Sequence, residues 1–147
     1  MKKQQLTSFY LEALLLVIIF VAMILVLTGV FGAARAQSAS ARCLTSAVGL
    51  AANAAEAAAE AESPEQAALL LDEGGNVSMT GGQLRACYRI DGKPCGEAEA
   101  ELVLTMSWEI DEQDVSLVTS RIAVFRADAE TPVYALETAR WRKGAAA

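Results

Sequence analysis

Histidine is absent from all 147 residues, and that omission removes a good deal of chemistry. Without imidazole there is no Ser-His-Asp or Cys-His activation of a nucleophile and no imidazole metal ligand. Cysteine is scarce as well, at Cys43, Cys87 and Cys95. The last two are too widely spaced for a Cys-x-x-Cys ribbon, so a zinc site is not expected. Basic residues are outnumbered, 12 against 18 acidic, for a net charge of −6. Nucleic-acid binding is driven by phosphate neutralisation, and an acidic chain is a poor candidate for it. Gly74-Gly75 and Gly81-Gly82 are followed by no Lys-Ser/Thr, which leaves them as turn punctuation and not a phosphate loop. Glu56, Glu60 and Glu62 read as the solvated face of a helix. The expectation is a protein with no catalytic centre, no cofactor and no nucleic-acid partner. Asn76-Val77-Ser78 matches a glycosylation sequon, a pattern frequent by chance.

Charge is also missing from one long stretch. Nothing between Glu12 and Arg35 carries any, and Ala13 to Leu27 is almost purely aliphatic. At 1.5 Å per helical residue, roughly 20 such residues cross a hydrocarbon core about 30 Å thick. A soluble amphipathic helix would show a polar stripe, and this segment has none. The reading is a single-pass membrane helix. Two others stay open. Ala34-Arg35-Ala36 resembles a signal-peptidase site, although a signal's apolar region is usually about 7–15 residues. A buried core helix would need a larger protein around it. Lys2 and Lys3 before the run, set against Arg35 and Arg42 after it, tilt the orientation slightly toward a cytoplasmic N-terminus. The expected location is the cell membrane, with an extracytoplasmic C-terminal domain and the lipid bilayer as one partner. Gly29 and Gly32 would permit close helix contact within it.

The helical pattern continues past the apolar run. From Ala33 to Glu62 there is no proline, and alanine, the best helix former, dominates. Leu44, Val48, Ala51 or Ala52, Ala55 and Ala59 fall on one stripe at 3.6 spacing. One helix of about 50 residues, roughly 75 Å long, is expected. Ser63-Pro64-Glu65-Gln66 is a stop and restart: Ser63 suits an N-cap, Pro64 the first helical position and Gln66 a capping box. A short helix to about Asp72 should follow, closed by Gly74-Gly75. The period then changes to two. Strands are expected over Leu84–Ile90, Ala100–Ile110, Val115–Arg126 and Val133–Arg142, with Asp111–Asp114 as a turn. Short connections imply an antiparallel meander, whose apolar face the outer half of the long helix would cover. The fold class is therefore α+β, a long N-terminal helix packed on a four-stranded antiparallel sheet. Its parts are a basic leader or tail at 1–7, a membrane half at 8–34, an extramembrane half at 35–62, a short helix and turn at 63–75, and the sheet at 76–147. Cys87 and Cys95 bracket an Asp-Gly turn signal; they either pair across a hairpin in an oxidising compartment or remain two separate thiols. Cys43 has no evident partner.

The start of the chain carries a family likeness. Ser8-Phe9-Tyr10-Leu11-Glu12, followed by Ala13-Leu14-Leu15-Leu16-Val17-Ile18-Ile19, resembles the beginning of a mature type IV pilin or pseudopilin. In that family a leader ends just before an apolar stretch whose fifth residue is glutamate. If Ser8 is the new N-terminus, Glu12 takes that place and the cut falls between Thr7 and Ser8. The resemblance covers Ser8 to about Phe31 in sequence and the whole chain in architecture. It implies a filament subunit of a pilus, competence or type II secretion system. Its partners would be other pilin-like subunits, an assembly platform and a prepilin peptidase. It also implies that Glu12 meets the free amine of a neighbouring Ser8, with Phe9 beside it at the assembly surface. Thr7 stands where the family has glycine, which fits a variant, minor subunit. The competing expectation is a membrane-anchored binding or accessory domain that never polymerises.

Overall fold

In the computed structural model residues 2–110 and 117–141 are described, and side chains from Phe9 onward within them. The expected turn Asp111–Asp114 lies outside the described residues. The chain divides into two compact units, Met1–Ser40 and Ala41–Ala147. A single α-helix, α1 (Lys2–Glu60), belongs to both. It carries no break at 7/8 or 34/35. Alanine, leucine and other good helix formers fill it, and proline is absent, so no backbone hydrogen bond is lost along its length.

α1 ends where the sequence changes. Ser63 caps α2 (Pro64–Leu71), its Oγ accepting from Gln66 N at 3.2 Å, while Gln66 Oε1 accepts from Glu62 N at 2.9 Å. This is the reciprocal arrangement of a capping box moved out by one residue. Asp72 Oδ1 then accepts from Gly75 N at 2.7 Å, and Asn76 Oδ1 from Glu73 N at 3.0 Å. Gly74 and Gly75 both have positive φ, which turns the chain into the sheet.

Among the described residues the sheet has five antiparallel strands, not the expected four. They are β1 (Val77–Thr80), β2 (Gln83–Tyr88), β3 (Leu102–Ile110), β4 (Leu117–Arg126) and β5 (Pro132–Trp141), paired in chain order. The added strand is β1. It is four residues long, lies at the sheet edge and has three exposed residues, so it lacks the apolar alternation by which the others are read. Its one local signal is Gly81-Gly82. Both glycines have positive φ, as a two-residue hairpin with the right twist demands.

Register sets the faces. Leu84↔Met106↔Ile122↔Leu136 and Ala86↔Leu104↔Val124↔Tyr134 run across four strands on the core side. Leu84, Leu102, Leu104, Met106, Ile122 and Val124 are fully buried there. Each such side chain contributes roughly 1.5–3 kcal/mol. Trp108 packs against this core, whereas Trp141 is exposed. The helix surface in the same cluster is Cys43, Ala47, Leu50, Ala51, Ala54, Ala57, Ala58 and Ala61. The expected stripe holds at Ala51 and Ala55 but not elsewhere: Leu44 and Val48 stay exposed at 46% and 39%, with Cys43 and Ala47 buried in their place, and Ala59 is exposed. Alanine accounts for the choice, because methyl side chains let the helix axis come close to a sheet face already filled by leucine, methionine and isoleucine. On the opposite face Arg121 reaches Glu109 at 3.5 Å and Glu137 at 3.8 Å, a solvated ladder worth at most about 1 kcal/mol.

Ala54 is fully buried, so Ala54→Leu should overpack this contact and cost about 1–3 kcal/mol. Leu44→Ala should stay within about 0.5 kcal/mol. Denaturant melts of the detergent-solubilised chain decide between these values. Burial is the main cause that pushes the Tyr88 hydroxyl above its ordinary pKa, against a hydrogen bond from Asn76 that lowers it. An unfolded chain would lose this proton near pH 10 while the folded one holds it, so stability should fall as pH rises beyond about 10. Tyr88→Phe should remove that alkaline loss in melts recorded across pH 8–11.

Candidate functional site

Two regions hold the residues singled out by sequence. The first is the apolar part of α1. Every side chain from Phe9 to Arg42 is exposed, and those from Leu14 to Phe31 are almost all aliphatic or aromatic. The helix is long and apolar enough to cross a membrane. Its polar exception is internally satisfied: Thr28 Oγ1 donates to Ile24 O at 2.8 Å, which closes the hydroxyl against its own helix. In a medium without water that bond spares the cost of a bare polar group. A Cβ on Gly29 or Gly32 would meet nothing within 4 Å.

Glu12 lies on α1 at the leading edge of this surface, exposed. Among the described side chains no cation lies within ion-pair distance of it. The helical neighbours one turn away include Phe9 and Leu16, both more than half exposed. Phe9 meets Tyr10 edge-on, with ring centroids 6.3 Å apart. Thr7 and Ser8 also lie within α1, so the backbone at the proposed cut is helical. A peptidase that binds its substrate extended would have to unwind that turn.

The second region is the hairpin after β2. Arg89 N donates to Lys93 O at 2.8 Å and Gly92 N to Arg89 O at 2.9 Å, enclosing Ile90-Asp91-Gly92. Gly92 has φ +80°, the left-handed residue that a three-residue hairpin loop requires. Tyr88 and Pro94 face each other as an antiparallel bridge. Pro94 occupies a position whose N–H would point away from the partner, so its missing donor costs nothing. Two contacts fix the loop, and a third ties the segment after it to β2. Ser46 Oγ donates to Ile90 O at 2.7 Å, Ile90 N donates to Glu101 Oε2 at 2.8 Å, and Arg85 pairs with Glu97 at 3.4 Å. Ser46 and Glu101 were not singled out from sequence. The separation of 44 positions from Ser46 to Ile90 leaves no local signal for such a bond.

Cys87 and Cys95 sit at the mouth of this hairpin as free thiols, Cys87 buried and Cys95 partly so. Cys95 N donates to Cys87 O at 3.1 Å. Cys43 is a third free thiol, buried in the helix–sheet core. Between α1, α2 and the hairpin lies an open groove of about 300 Å³, lined by Glu56, Glu60, Glu73, Asn53 and Tyr88 among others. Glu56 and Glu60 are exposed there, and the described residues contain no grouping of acidic or cysteine side chains fit to hold a metal ion.

No protein-family model, curated protein or solved structure matches this chain.

Val21→Arg, amid the exposed apolar surface, should raise the cost of membrane insertion by about 3–4 kcal/mol. Leu69→Arg, at an exposed position of α2, should change it little. A glycosylation-mapping assay of the integrated fraction for both variants checks the contrast.

Proposed function

We propose that the chain is a pilin-like structural subunit, a minor component of a type IV pilus, competence or secretion-type filament. The observation that carries this reading is the division of labour along α1. Ala41 to Glu60 commits one alanine-rich face to its own sheet, whereas Phe9 to Phe31 commits nothing to the described protein. An anchor needs only to cross the bilayer and can end in a linker. A helix that runs without a break from an unburied apolar half into a packed half is suited to leave the bilayer and stack against copies of itself. Leu44 and Val48, apolar and exposed beside the packed face, extend the unsatisfied surface in the same helix.

Glu12 takes the positioning role. A carboxylate at the edge of hydrocarbon is costly unless paired, and its attraction to a cation is strong at low dielectric. The amine of a neighbouring processed subunit would satisfy it and set the stagger between helices. In the membrane the N-terminus would lie on the cytoplasmic side and the sheet domain outside, with a prepilin peptidase acting between Thr7 and Ser8.

Glu12→Ala and Glu12→Gln should each reduce incorporation into sheared filaments at least tenfold, about 1.4 kcal/mol, while membrane levels hold. Quantitative immunoblotting of the filament and membrane fractions measures both. Undiminished incorporation would remove the positioning role from Glu12, whereas absence of the unsubstituted chain from the filament fraction would leave a non-polymerising anchored domain. Intact-mass analysis of the membrane-extracted chain should show loss of residues 1–7; loss through Ala36 would instead mean a secreted protein.

A further inference from the structure

We propose that Cys87 and Cys95 are a disulfide-forming pair that staples the hairpin after β2, with an external disulfide as the oxidant. The geometry is set by the backbone. The Tyr88↔Pro94 bridge makes Cys87 and Cys95 the next opposed pair, and Cys95 N bonds Cys87 O at 3.1 Å. The second bond of the pair is not made, since Cys87 N donates to Asn76 O at 3.0 Å; opposed residues of an antiparallel pair still project to the same side, with Cα atoms about 4.5–5.5 Å apart. That lies inside the roughly 4.4–6.8 Å span of disulfides. Tyr88 faces the core, so both thiols face the other side of the sheet. There Cys87 and Val103, paired in register, are each more than nine-tenths buried, although this is the outward face. The 3-10 turn Glu97–Glu99 that follows Cys95 is joined to β2 by the exposed Arg85–Glu97 ion pair at 3.4 Å. Cys43 belongs to the core cluster on the other face, so it does not compete for either partner.

The chemistry balances by thiol–disulfide exchange. Cys95, the more exposed thiol, loses its proton, attacks one sulfur of the oxidant and expels the other half as a thiolate. Cys87 then attacks the Cys95 sulfur of that mixed disulfide and expels the second half. Two electrons pass to the oxidant, and the two cysteine protons end on the two thiols it releases. Burial, and then the neighbouring Cys87, push the Cys95 thiol above its ordinary pKa. Exchange should therefore be slow at neutral pH and accelerate as pH rises. The closed bridge fixes the loop whose Ile90 carbonyl accepts from Ser46 of α1 and whose Ile90 N–H is held by Glu101. It is independent of whether the chain polymerises, so failure of either proposal leaves the other standing.

The test uses the full chain in detergent, reduced and then incubated with oxidised glutathione at pH 8. The expected product is a monomer 2 Da lighter than the reduced chain, with one alkylatable thiol, at Cys43, under denaturing conditions, and a Cys87–Cys95 cross-linked peptide after digestion. Its melting temperature should fall by roughly 10 °C on reduction. Cys95→Ser should abolish both the mass loss and the shift, and because Cys95 is only partly buried this variant tests the pair even if Cys87→Ser does not fold. Three alkylatable thiols, a stable glutathione adduct or a bridge involving Cys43 would each overturn the proposal.

Discussion

The contact between the alanine face of α1 and the apolar face of the sheet is the interaction on which everything else in the second compact unit depends. Five antiparallel strands present one side rich in leucine, methionine, isoleucine and valine, and a sheet of that kind must be covered. Ala47, Ala51 and Ala54, each fully buried, supply the cover by offering almost no side-chain bulk. Larger residues would hold the helix away and open cavities that these core side chains could not refill. Close approach also brings Ser46 within hydrogen-bond reach of the hairpin carbonyl at Ile90, so one geometric choice fixes both the core and the loop above it.

The first compact unit obeys the opposite rule. Through the apolar run the backbone polar groups bond within the helix, as does the Thr28 hydroxyl, and the side chains from Phe9 to Ser40 are left uncovered by the described protein. Such a surface is stable only against hydrocarbon or against more protein. A bilayer supplies the first and a bundle of identical helices the second, and a filament subunit uses each in turn. On that reading Glu12 is the charged group at the leading edge of the apolar run, and its partner would belong to another molecule.

Much of this was legible in the residues because it is encoded locally. The charge-free run, the proline-free continuation, the Ser63-Pro64-Gln66 restart and the period of two each show within a short window. β1 escaped because a four-residue edge strand with exposed side chains has no periodic signature; only Gly81-Gly82 hinted at it. The packed stripe of α1 was read rightly at Ala51 and Ala55 and one residue off at Leu44 and Val48, because alanine is nearly neutral as a marker. Leu44 and Val48 looked like the core face, but a sheet that demands close approach selects the methyl-bearing stripe beside them. The opposition of Cys87 and Cys95 followed from the turn signal, while the tethers from Ser46 and Glu101 are tertiary and left no trace in sequence. The exposed apolar surface of α1 was legible as composition, because a charge-free run needs no tertiary contact to be read.

The central claim is that the exposed apolar half of α1 is an assembly surface and not only an anchor. A photo-crosslinking residue at Leu16, activated in intact cells expressing the full chain, tests it most directly. The account predicts a ladder of covalent adducts between copies of this chain, lost when Glu12 is replaced by Ala. Adducts to lipid alone, with the protein running as a monomer in both backgrounds, would contradict it.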